Sequence, residues 1–211
     1  VRHFAFIGPY GVGKTTIANA LVQHRGHQRL AFADAVKQDC ADMLDYVVKQ
    51  HTLRGHSPNP SSLNKATIEQ FKKTTFGPLL QWYGTDFWRE FMGEPDHWIN
   101  RWKQTFSMTS GPVVVDDCRF VNEADALREQ GFWIVRLIRN IEDASGNADK
   151  RSTTHASETE QFNITAHFVI DLTGQSENDA VDGILRLCDA LSGGYTYDAT
   201  TQTQTFELVR P

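Results

Sequence analysis

The chain has 211 residues, a formal net charge of -5 and three cysteines, at positions 40, 118 and 188. That length suits one well-buried α/β domain with a small insertion and is too short for two full domains. The acidic balance speaks against a general nucleic-acid or anionic-membrane surface. Three widely spaced cysteines fit free thiols in a reducing cytosol better than zinc ligands or disulfides.

The first apolar run, "HFAFI", is strand-like in length and β-forming content. It is too short for a signal peptide core or a membrane span. It leads into "GPYGVGKTT" and then a helical pattern through Ile17, Ala20 and Leu21. Gly8 to Thr15 spells G-x-x-x-x-G-K-T, in the strand, glycine loop, helix context that phosphate binding requires. Gly11, Val12, Gly13, Lys14, Thr15 and Thr16 are therefore the expected ATP-phosphate residues. Lys14 neutralises charge, and the Thr15 hydroxyl is a Mg²⁺ ligand.

"RLAFA" reads as a second short strand, and Asp34 stands where it can cap a helix carrying Val36, Cys40, Met43, Leu44 and Val47. A Pro-rich polar loop from Arg54 to Ser62 precedes helical patterns at 63 to 73, 78 to 92 and 95 to 106. The stretch 34–106 is thus a mostly helical region. A buried strand at 113–116, a helix at 121–130 closed by Gly131, and the strand "FWIVRLI" follow. This alternation predicts a parallel sheet of about five strands, completed by "AHFVIDL" before a helix at 177–191. Residues 140–161 are polar and read as a lid-like excursion. The tail, 193–211, suits a β-hairpin added to a sheet edge or used between the subunits of a homodimer, with disorder as the alternative for its last residues.

In phosphate-loop enzymes a second strand beside the first ends in an acidic residue that holds Mg²⁺ directly or through water. "VVVDD" supplies it, and side-chain alternation means that only one of Asp116 and Asp117 is expected to face the loop. Arg119, just beyond, is placed to grip an acceptor phosphate bidentately. Phosphoryl transfer spreads negative charge, which lid arginines commonly meet. Arg136, Arg139, Lys150 and Arg151 are the candidates, and Arg139, at the lid entrance, and Arg151, within it, are preferred to Arg136. No Ser-His-Asp or Cys-His arrangement stands out, so direct in-line transfer is the economical mechanism.

Taken in order, "GPYGVGKTT", "FADAVK", "LQWYGTDFWRE", "PDHWI", "DCRFVNEADALREQGF", "IVRLIR" and "HASE" resemble the deoxynucleoside monophosphate kinases of tailed phages, of the T-even type. The resemblance covers most of residues 3–172. It implies a phosphate-loop kinase three-layer sandwich with a helical monophosphate-binding insertion and a lid. It also implies transfer of the ATP γ-phosphoryl group to a deoxynucleoside monophosphate, with Mg²⁺, in the host cytoplasm. No nucleic-acid or membrane partner is expected.

The same resemblance aligns a family motif, D-V-R-F-x-N-E, with Asp117, Arg119, Asn122 and Glu123, and so favours Asp117 as the metal-side carboxylate, with Asp116 supporting or capping. Cys118 replaces the usual valine. It assigns Gln81 and Arg89 to the acceptor base and phosphate, Asp34 and Lys37 to the first acceptor helix, and Glu158 to an arginine anchor or a cap. Trp82, Phe87, Trp88 and Trp98 are expected mainly to fill the core, with Trp82 as the candidate to stack on the acceptor base. In related kinases, the turn at Leu172, Thr173 and Gly174 would meet the donor adenine. Two alternatives keep the phosphate loop. One is a kinase for another phosphorylated metabolite or modified nucleotide, and the other is a regulatory nucleotide-binding ATPase.

Overall fold

The computed structural model describes residues 2–53, 76–139, 159–192 and 204–206. Strand β1, His3–Ile7, is central because it is buried on both faces. Around it the sheet runs in the order β2-β3-β1-β4-β5-β6, with every pair parallel. The other strands are β2 (Gln28–Arg29), β3 (Val113–Val115), β4 (Phe132–Ile138), β5 (Phe168–Asp171) and β6 (Gln204–Phe206). This is the α/β parallel-sheet fold that the alternating pattern predicts.

Alternation along the strands sorts the core into two layers. Phe4, Phe6, Val114, Val135, Leu137, Phe168 and Ile170 share one cluster with Ile17, Ala18 and Leu21 of α1 (Lys14–Arg25). Ala180, Ile184, Cys188 and Leu191 of the last helix, Glu177–Ser192, complete it. The opposite parity, Ala5, Ile7, Val113, Val115 and Ile134, is equally buried. The helix Val121–Glu129, which packs against β4, buries Ala124 and Leu127. Each fully buried Phe or Leu here contributes roughly 1.5–3 kcal/mol over its exposed state.

The chain divides into two compact units, Val1–Ala31 with Thr109–Pro211, and Phe32–Met108. The second unit contains α2 (Ala33–Leu53), α3 (Gly77–Gln81), a π-helical segment (Trp82–Phe91) and α4 (His97–Ser107). Its core is Val36, Cys40 and Trp98, packed by Leu79, Leu80, Tyr83 and Trp88. The Trp98 indole N–H donates to the Gly84 carbonyl at 2.8 Å, tying α4 to the π-helical segment.

Several local expectations change. The second strand covers only Gln28–Arg29, and the chain reaches α2 through Leu30, Ala31 and a turn at Phe32. Asp34 lies inside the first turn of α2, where its charge complements the helix N-terminus, rather than in the capping position. The run predicted as one α-helix at 78–92 becomes π-helical from Trp82. Wider i→i+5 turns bring residues four apart nearly into line. Tyr83 stacks on Phe87 at 5.7 Å, and Phe87 on Phe91 at 5.9 Å. Trp98 is buried as expected, but Trp82 is 48% exposed and is not a core residue. The tail contributes β6 as a parallel edge strand beside β5, with Phe168 aligned to Gln204. A hairpin partner for it would fall outside the described residues. So do the loop from Arg54 to Ser62, the helical pattern at 63–73 and residues 140–158, most of the lid-like excursion.

Candidate active site

All strands are parallel, so their C-terminal ends share one edge of the sheet. Ligands of open α/β sheets bind at that edge. The Gly8–Thr15 loop leaves β1 there. At Gly8, φ is 142° and an added Cβ would stand 2.3 Å from the Leu137 carbonyl oxygen, so only glycine fits against β4. Val12 is fully buried and anchors the loop from beneath. Gly13, at φ 105°, caps α1 in the left-handed region and lets the helix begin at Lys14. The Lys14 ammonium donates to the carbonyls of Gly8 at 2.6 Å and Pro9 at 2.8 Å, which holds its charge over the loop.

Beside the loop, Thr15 is exposed and donates its hydroxyl hydrogen to Asp116 Oδ2 at 2.7 Å. The Asp116 side chain is only 1% exposed, and its Oδ1 takes two bonds from the Arg29 guanidinium, from Nε and Nη2, each at 2.8 Å. This corrects the expected assignment, because Asp116 and not Asp117 meets Thr15. Asp116, one residue past the end of β3, shares the parity of Val114, which packs with α1. The half-buried Asp117 has the opposite parity.

Beyond them, the backbone is pinned by Glu123. Its buried carboxylate accepts the N–H groups of Arg119 at 2.8 Å and Phe120 at 3.2 Å, which fixes the turn that presents Arg119. Arg136 proves to be architectural. Its Nη2 donates to the carbonyls of Gln161 at 3.0 Å and Ile164 at 2.6 Å, and burial lowers its pKa. Arg139, just past β4, has a buried Nε with no hydrogen-bond partner among the described residues. At the end of β5, Leu172 is in the core. The Asp171 carboxylate accepts the Thr173 N–H at 2.8 Å, and the hydrogen bonds from Thr173 hold its pKa down.

The remaining expected residues lie in the second unit. There Lys37, largely buried, stands 3.6 Å from the Asp34 carboxylate. Gln81 ends α3, and Trp82 and Arg89 lie on the π-helical segment, a helix form enriched at functional sites. Arg151 and Glu158 lie outside the described residues. Sequence reasoning missed Arg29 and favoured Asp117 over Asp116 for the place beside Thr15. The carboxylate pair marked the place, but nothing local marks Arg29, whose partner is 87 residues away.

Among the described residues, no three His, Cys, Asp or Glu side chains form a metal cage. No helix among them is long and apolar enough to cross a membrane. No family model matches the chain. It is 24% identical over 197 residues, 88% of its length and 95% of the other's, to a protein of Acanthamoeba polyphaga mimivirus named "Putative deoxynucleotide monophosphate kinase". The crystal structure of an unliganded sugar kinase from Janibacter sp. HTCC2649 aligns over 100% of this chain and 87% of that one at 14% identity. Its TM-score of 0.34 marks a likeness too distant to carry an argument. The chain is therefore similar along nearly its whole length to one protein named for nucleotide phosphorylation.

Proposed function

We propose that the protein is a deoxynucleoside monophosphate kinase that transfers the γ-phosphoryl group of ATP to a dNMP, giving dNDP and ADP. The observation that carries this is the hydrogen bond from Thr15 to the buried Asp116, behind a glycine loop that holds Lys14. The similarity to the mimivirus protein, over 88% of this chain, supports the choice of acceptor.

The residues fit a Mg²⁺-nucleotide better than a resident metal. The Thr15 hydrogen is committed to Asp116, so its oxygen lone pairs remain on the exposed side. Mg²⁺ takes near-octahedral oxygen ligands, keeps several waters and draws the rest from one or two protein groups and the phosphates. Thr15 would ligate it, with Asp116 acting through water. When bound, it neutralises charge on the phosphate oxygens.

Lys14 is released from the Gly8 and Pro9 carbonyls to meet the β- and γ-phosphates. Successive N–H groups at the start of α1 receive their oxygens. Arg119 grips the acceptor phosphate, and Arg139 and Arg151 offset charge on the moving group. Asp34, Lys37, Gln81, Trp82, Arg89 and Glu158 make up the acceptor side, with the exposed Trp82 as a stacking face for the base. An acceptor phosphate is already ionised at neutral pH, so no general base is needed, and positioning and neutralisation supply the catalysis. Three buried free thiols suit a reducing cytoplasm, that of an infected host if the gene is viral.

ADP release with ATP alone and with a panel of monophosphates tests the reading. The expected outcome is strong stimulation by at least one dNMP. Stimulation only by a non-nucleotide phosphorylated metabolite moves the acceptor class, and stimulation by none leaves an ATPase.

A further inference from the structure

We propose that Arg29 is a positioning residue for the metal side of the nucleotide site, acting through Asp116. This rests on the kinase reading above.

Arg29 lies on a strand of two residues at one edge of the sheet. That strand is bolted in register on both sides. Gln28 N–H donates to the Pro112 carbonyl at 2.8 Å and Leu30 N–H to the Val114 carbonyl at 3.0 Å, with Arg29 opposite Val114. From there the guanidinium reaches forward to the strand-end carboxylate. Nε and Nη2 both bond Oδ1 at 2.8 Å, while Oδ2 accepts the Thr15 hydroxyl at 2.7 Å. A carboxylate offers about four lone-pair sites. Arg29 engages Oδ1 from two nitrogens and Thr15 fills one site on Oδ2, so an acceptor position remains on the oxygen next to Thr15.

The burial of the two partners makes this arrangement consequential. Asp116 is 1% exposed, and an ionised carboxylate at such a site is strongly disfavoured without a counter-charge. Arg29 supplies that charge and, by holding Oδ1 while Thr15 holds Oδ2, also fixes the rotation of the carboxylate. Without it, the acceptor of the Thr15 hydrogen would be free to turn, and the Thr15 lone pairs would lose their direction. The effect falls on Mg²⁺, not on the dNMP.

Calorimetric titration of ADP into the protein over a Mg²⁺ series reads this without turnover, in wild type, R29A, R29K, D116N and R29A/D116N. Ligand-free melting curves check folding. The expected result is a rise in the Mg²⁺ concentration needed for tight ADP binding of roughly 10- to 100-fold in R29A. R29K should lie between R29A and wild type, because lysine keeps the charge without the fork. R29A should add nothing in the D116N background. A folded R29A with wild-type Mg²⁺ dependence overturns the proposal, as do additive effects in the double variant. If R29A does not fold, R29K decides, and wild-type Mg²⁺ dependence in R29K overturns it. Dnmp-stimulated ADP release by wild type, run alongside, separates the two claims. Its absence defeats the kinase reading and the proposal with it, whereas its presence with unshifted Arg29 variants defeats the proposal alone.

Discussion

Two adjacent carboxylates follow β3, and their environments set them apart. Asp116 is buried between Arg29 and Thr15, and Asp117 is half-buried past the end of the sheet. Asp116→Asn is therefore expected to weaken Mg²⁺-dependent nucleotide binding by about 10- to 100-fold, the usual effect of losing an outer-shell carboxylate. Asp117→Asn should leave it near wild type, and the reverse pattern in a Mg²⁺ titration would restore Asp117 to the metal side. Gly8 is a second residue with no freedom. Gly8→Ala places a methyl group against the Leu137 carbonyl in a conformation that costs alanine about 1–3 kcal/mol. Denaturant melts should show at least that loss, and unchanged stability would mean that the loop can shift away from β4.

At the level of elements, legibility followed burial. β1 and β4 are mostly apolar and largely buried on both faces, interrupted only by His3 and Arg136, and their limits match the sequence pattern. β2 was misread because a two-residue strand has no periodicity, and its register depends on bonds to Pro112 and Val114 far along the chain. The π-helical turn is equally invisible, because helical spacing of aromatics looks alike until the rings stack four apart. The glycine loop was legible through to Thr15, since each residue answers a local demand. The choice between Asp116 and Asp117 was not, because it turns on where the strand stops and on Thr15, 101 residues away.

For the molecule as a whole, the two edges of the sheet carry different chemistry. The C-terminal edge holds the Gly8–Thr15 loop, and the N-terminal edge holds His3, His27 and His167. The Nδ1 atoms of His3 and His167 accept the backbone N–H groups of Val113 at 3.0 Å and Ile134 at 2.8 Å. Burial lowers all three pKa values, helped by His27 beside His3, Arg25 beside His27 and Arg128 beside His167. The unfolded chain therefore takes up protons first, near pH 6.5. Stability should be full above that value and fall as pH drops below it, until the folded-state pKa values are passed. Melting curves from pH 8 to 5 should show this fall. His167→Asn, which keeps an acceptor but cannot titrate, should flatten part of it, and an unaltered slope would remove His167 from the account. At alkaline pH the thiols of Cys40 and Cys188 should stay inert, because burial pushes Cys40 up to about 11 and Cys188 to about 12.

The fate of the γ-phosphoryl group tests the catalytic reading most directly. With γ-labelled ATP, Mg²⁺ and a dNMP, the label should appear in dNDP, in step with ADP, and should be lost in Lys14→Ala and strongly reduced in Arg119→Ala. Label found only in inorganic phosphate, at a rate indifferent to every monophosphate supplied, would overturn it.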